Sequence, residues 1–215
     1  MVSTVTFLDR DFRFSMVPWF KRSFGQTNYR AYVMDTQTGE YAAWFFGTCL
    51  DSILVAVPRF LWRLPWHRAR MNFDCQYDQA AGRYSTYTVK TQSSWSPAHL
   101  ALIDTGKAPA QLLGIGNLEA GLVLLTHPMR GYFFRQDGTL GSYSIWHDRT
   151  RATLGRVQEA NYPLLEQLGL VEGGNLNEIH SVLIQPSIDF VIYLPPFKVK
   201  ANPSGNRPAG LLRDS

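Results

Sequence analysis

An antiparallel-rich α+β fold, closed into a barrel or rolled into a curled sheet and carrying two or three short helices, is what the sequence predicts. Three observations carry that expectation. Alternating β-branched and aromatic runs come in pairs around glycine-bearing turns. Helical signals are confined to short stretches. About eight or more strands in one domain would leave aggregation-prone edges unless the sheet curls or closes. The length of 215 residues suits a single domain able to bury its own core.

The elements follow in chain order. The N-terminal MVSTVTFLDRDFRFSMVPW has no apolar run long enough for a signal segment, since Asp9, Arg10, Asp11 and Arg13 interrupt it. NYRAYVMD (28–35) and EYAAWFFGT (40–48) flank TQTG and read as a hairpin turning at Gly39. DSILVAVPRFLW (51–62) starts like a capped helix. A proline inside a helix costs about 3 kcal/mol, so this one is kinked or begins late, near Pro58. MNFDCQYD (71–78) and RYSTYTVKT (83–91) form a second hairpin around Gly82. Asn117 is placed to cap a helix over 118–125. YFFRQ (132–136) and LGSYSIWH (140–147) flank Asp-Gly, the strongest short turn signal in the chain. Pro163 suits the first turn of a helix over 163–170. HSVLIQP (180–186) and IDFVIYLPP (188–196) are expected to give a last strand pair, broken at Pro186. The domain is expected to span 1–199, followed by a Pro-, Gly- and Ser-rich disordered tail over 200–215.

Composition narrows the function classes. A formal charge of +4 with acids interspersed is too mild for a dedicated nucleic-acid binder. No window approaches 18 consecutive apolar residues, so no membrane helix and a soluble, cytoplasmic protein are expected. Cys49 and Cys75 lack CxxC spacing and fit two thiols or one disulfide, not a zinc knuckle. The five histidines form no HxxxH pair; Glu178 and His180 share a strand face but make a weak metal signal, so no metal is expected. No GxSxG elbow is present, and GIGN (114–117) lacks the third glycine of a dinucleotide site, so no cofactor is expected.

RFLWRLPWHRARM (59–71) is the most unusual stretch. Arg59, Arg63, Arg68 and Arg70 with Trp62 and Trp66 could clamp single-stranded nucleic acid. The bend at Pro65 and the strand that follows favour arginines pointing alternately to solvent and to a polar interior. An arginine inside a barrel must be paired or must meet an anionic ligand. Asp51 is one partner for Arg59, and a carboxylate-bearing ligand is the other.

These segments in this order resemble the uncharacterised YqjF-like family, domain of unknown function 2071. Its pattern N-x-R-x-Y-V matches Asn28, Arg30, Tyr32 and Val33. Asp51 matches the family's F-F-S-L-D. Arg59, Leu64, Pro65, Trp66, Ala69 and Met71 match A-R-x4-L-P-Y-x-x-A-x-M. The resemblance runs over roughly 14–197. Ahead of Asn28 the chain is shorter than the family pattern, so a first strand or helix is expected to be missing or replaced.

The family looks like a remote relative of acetoacetate decarboxylase, which implies that enzyme's curled β-barrel and central cavity. That resemblance puts the decarboxylase's two lysines at Trp66 and His67, and Trp66 has no amine with which to form an imine. The expectation is a cavity for an anionic or carbonyl-bearing small molecule, without Schiff-base chemistry, in an enzyme of lyase-like acid/base type or a non-catalytic binder. Arg30 and Arg59 would be anion anchors and Asp51 would orient Arg59. Trp66 would line the ligand site, and His67 would transfer protons. A structural Arg59–Asp51 pair is an equal alternative. An exposed strand edge could be covered by a second subunit.

Overall fold

The computed structural model describes residues 1–13, 19, 21–148, 151–172 and 179–199, without the side chains of Phe190 and Leu194. In chain order the strands are β1 (Val2–Phe12), β2 (Arg22–Met34), β3 (Tyr41–Leu50), β4 (Trp66–Arg68), β5 (Arg70–Asp78) and β6 (Arg83–Gln92). They continue with β7 (Ala98–Asp104), β8 (Arg130–Phe134), β9 (Leu140–His147), β10 (Thr153–Asn161), β11 (Leu183–Ile184) and β12 (Phe190–Lys198). Three helices interrupt them: α1 (Ala56–Trp62), α2 (Leu118–Thr126) and α3 (Pro163–Gln167).

The strands form two curled sheets, one ordered β1-β2-β3-β8-β9-β12 with β4 added on β3, the other β11-β10-β7-β6-β5. Every pairing among them is antiparallel except those of β3 with β4 and β8. The antiparallel-rich α+β class read from the sequence is therefore the architecture observed.

Three of the four hairpins form as expected: β2–β3, β5–β6 and β8–β9. Their turns need a left-handed residue, supplied in the first by Gly39 at φ +72° and in the last by Gly138 at φ +74°. The fourth expectation is corrected. Residues 180–186 and 188–196 do not pair with each other: β11 joins β10, and β12 joins β9 in the other sheet. Pro186 cannot donate to a ladder, and the segment around it carries the chain from one sheet to the other.

The element that stands ahead of Asn28 is β1, which covers the edge of β2 in register from Val2 opposite Ala31 to Asp9 opposite Phe24. Strands β7 and β10 were not legible beforehand. Residues 200–215, expected to be a disordered tail, lie outside the described residues.

Helix starts follow local chemistry. Ser52 caps a 3₁₀ turn (Ile53–Val55) by accepting from the Leu54 amide, and α1 begins only at Ala56. Pro58 thereby falls in the first turn of α1, where its missing N–H costs no bond. Asn117 caps α2 through Oδ1, which accepts from the Ala120 amide at 3.0 Å. α3 stops at Gln167, shorter than the expected 163–170, because Gly169 turns left-handed at φ +64°. The outer face of the α1 region leaves Ile53, Val57, Phe60 and Leu61 exposed. Among the described residues no helix is long and apolar enough to cross a membrane.

The main core lies against the first sheet, where Phe24, Phe45, Leu64, Trp66, Phe133 and Tyr143 pack together. A second cluster under α3 packs Tyr29 against Leu164 and Leu165, with Trp95 edge-on to Tyr29 at 5.5 Å. Gly47 makes that approach possible: a Cβ there would lie 2.4 Å from the Trp95 ring. The glycine of FFGT is thus a packing requirement rather than a turn.

Candidate functional site

A cavity of about 2220 Å³ runs along β1, reaching the inner face of the first sheet on one side of that strand and the second sheet on the other. Its floor follows from the period of β2. Alternate residues of a strand share a face, so Gln26, Asn28, Arg30 and Tyr32 stand in one row, and all four line the cavity. The row is bonded along its length. Gln26 Nε2 donates to Asn28 Oδ1 at 2.9 Å, and Thr48 Oγ1 donates to the same oxygen at 2.8 Å. Tyr32 donates its hydroxyl to the Leu125 carbonyl at 2.7 Å.

Arg30 is the charged member of the row and is only 8% exposed. Its Nη2 donates to the Leu125 carbonyl at 2.9 Å and to Tyr32 Oη at 3.3 Å; Nε donates to Ser3 Oγ at 3.2 Å. Every one of these acceptors is neutral, and no carboxylate pairs with Arg30 among the described residues. A buried cation without a counter-charge is costly, and an anion arriving beside it gains what solvent no longer supplies. The Tyr143 phenol is held un-ionised by burial, with the charge of Arg30 opposing that effect.

Asp9 is the second buried charge-bearing group on the wall, at 3% exposure. It contrasts with Asp104, which is equally buried at 3%. Asp104 is fully served: Oδ1 accepts from Thr153 Oγ1 and the Gly106 amide, and Oδ2 from the Tyr84 amide. Asp9 Oδ2 has no partner among the described residues. Burial pushes its carboxyl up from 3.8 to about 7.

Of the five residues expected from the sequence, the structure brings Arg30 to the cavity wall; Asp51, Arg59, Trp66 and His67 are elsewhere. Asp51 and Arg59 do not pair. Asp51 Oδ2 accepts from the Met71 amide at 3.1 Å, while exposed Arg59 donates Nη1 to the Trp66 carbonyl at 3.1 Å. Both tie the turn between α1 and β5 to its neighbours, the reason being that local backbone groups lie nearer than each other's side chains. Trp66 is 8% exposed within the main core, held by the pairing of β4 with Thr48 of β3. Nor do the other arginines of this stretch reach the interior: Arg63 pairs with Asp137 at 2.9 Å, and Arg68 and Arg70 are exposed.

His67 stacks flat on Trp95, with centroids 3.8 Å apart and planes 7° from parallel. Burial, and then the positive charge of Arg59, lower its pKa from 6.5 to about 4. It is neutral at neutral pH and gives up stability as pH falls through the window from 6.5 to about 4, where the unfolded chain takes the proton first. Trp95→Ala should destabilise the protein by about 3 kcal/mol and return the His67 titration toward 6.5, as read by NMR. An unmoved His67 titration would show that the stack does not desolvate the ring.

Other nucleophiles are disposed of locally. Both cysteines are free thiols, and burial pushes each up to about 11, so neither is a thiolate near neutrality. Among the described residues no lysine lines the cavity, and no three potential ligands group to hold a metal. Glu178 lies outside the described residues; His180 Nε2 donates to the Leu113 carbonyl at 2.6 Å.

Sequence reasoning missed Asp9, Gln26 and Asn28 as wall residues. The signal for the latter two was the two-residue period of Gln26, Asn28, Arg30 and Tyr32. For Asp9 it was a carboxylate continuing the Val5–Phe7 face of a segment not recognised as a strand.

Fold and site together define a two-sheet, cavity-bearing β protein with a desolvated arginine on the cavity wall. The family model described as DUF2071, uncharacterized conserved protein (COG2071), matches residues 1–189. The chain belongs to this family, and the match takes in β1, which the motif-based resemblance over 14–197 had left out. No curated protein matches the chain. Among solved structures it is similar to the acetoacetate decarboxylase of Legionella pneumophila subsp. pneumophila, with 12% identity and a TM-score of 0.42. That likeness covers 82% of this chain and 67% of the decarboxylase.

Proposed function

We propose that the cavity binds a small molecule bearing a carboxylate or carbonyl group, with Arg30 as the anion anchor, and that no Schiff base forms on it. The observation that carries this reading is Arg30 itself, a guanidinium 8% exposed on the wall with only neutral partners among the described residues. The absence of a wall lysine among those residues supports the second half, since an imine needs an amine inside the cavity. Should the bound molecule be turned over, Asp9 is better placed than His67 to move a proton. Asp9 is on the wall, and its carboxyl titrates near neutrality. Passive binding would use the same arginine, and only a turnover assay with the ligand separates the two.

Calorimetric titration with alkanoates and the matching alkanols tests the anchor. Arg30→Met should weaken the alkanoates by roughly tenfold to a hundredfold and leave the alkanols little changed, with Arg30→Lys intermediate. Equal losses for acids and alcohols would reject the anchor. Borohydride treatment with a β-keto acid should leave the intact mass of the protein unchanged, and a reduced adduct would contradict the absence of imine chemistry.

A further inference from the structure

We infer that the cavity takes an elongated, largely apolar carboxylate, with its acid group at Arg30 and a hydroxyl or carbonyl at its far end against Asp9. This rests on the anchoring role of Arg30 and adds the shape and second polar end of the ligand.

The two buried charge-bearing groups of the wall are far apart. Arg30 stands opposite Ser3 on β1, and Asp9 lies six positions further along the same strand. At about 3.3 Å per residue that is roughly 20 Å, too far for one short acid to meet both. Between them the same face of β1 carries Val5 and Phe7. Across the cavity β9 presents Ile145 and β12 presents Ile192. The path from Arg30 to Asp9 is therefore apolar in its middle and polar at its ends.

Asp9 asks for a partner as Asp104 does not. Both are 3% exposed, yet only Asp9 leaves an oxygen unpartnered among the described residues. A carboxyl at that spot can donate to a carbonyl when protonated or accept from a hydroxyl when ionised. Arg10 and Arg13 also reach the wall near this end, but both are exposed, so water screens them as competing anchors.

The test is titration calorimetry of the full chain with alkanoic acids from four to eighteen carbons and with their ω-hydroxy counterparts. Affinity should rise roughly fourfold per methylene. It should level off near the length that spans the two groups, about sixteen carbons at roughly 1.25 Å of reach per bond. At that length the ω-hydroxyl should gain affinity in the wild type, and the gain should disappear in Asp9→Leu and shrink in Asp9→Asn. A flat length series in the wild type, with Arg30→Met still selective against acids, would overturn the elongated ligand while leaving the anchor standing. The same ω-hydroxyl gain in wild type and Asp9→Leu would remove Asp9 from the site. No binding by any acid would overturn both this inference and the anchor.

Discussion

Trp66→Ala is expected to cost about 3–5 kcal/mol of stability, measured as a fall in the urea midpoint at constant slope. The indole is 8% exposed and packs with Phe24, Phe45, Leu64 and Phe133 at the point where β4 is added to β3. Truncation removes its transfer free energy and leaves a void that neighbours on two strands cannot refill. The backbone consequences are smaller, because the Trp66 carbonyl that accepts from Arg59 is retained. Trp146→Ala, at a site 42% exposed, is the control and should cost far less. Similar small losses for both would mean that Trp66 faces open space and is free to contact a ligand. The expected result instead makes Trp66 a core residue at the position where the sequence resemblance looked for a reactive amine.

Asp9→Asn is expected to stabilise the protein at neutral and alkaline pH and to flatten its stability profile. The folded protein holds the Asp9 proton up to about 7, whereas the unfolded chain releases it near 3.8. Between those values the folded state binds more protons, so wild-type stability falls as pH rises through the window and stays level above about 7. That interval, at 1.36 kcal/mol per pH unit, amounts to roughly 4 kcal/mol as an upper bound. The amide keeps the shape of the carboxyl and cannot ionise, so the decline should disappear in the variant. Urea unfolding at pH 5 and pH 8 reads the difference, and parallel profiles for the two proteins would show that Asp9 is solvated or paired. A ligand group donating to Asp9 would oppose the wild-type decline.

The elements legible in the sequence were those with local causes. The turns at Gly39, Gly82 and Gly138 set three hairpins, Asn117 set the start of α2, and the proline at 58 delayed α1 until the 3₁₀ turn had ended. Arg30 was legible through the resemblance that carries Asn28, Arg30 and Tyr32, whereas the two-residue period that sets Gln26 and Asn28 on the same face was missed. Family membership followed from the same motif and is carried by the match over 1–189.

Long-range choices were not legible. Whether 183–184 and 190–198 pair together or join different sheets depends on which distant strands offer free edges, and β10 and β9 took them. Asp51 was one partner offered for Arg59, yet each bonds a backbone group instead. His67 stacks on Trp95, 28 positions away in the chain and brought close where Gly47 has no Cβ. Asp9 became a wall residue because β1 pairs with β2 and turns that face inward. The sequence by itself determined the strand-rich class and the turns, since each depends on neighbours in the chain. Tertiary structure alone decided which charges are desolvated, because burial is set by what packs above a residue rather than by what stands beside it.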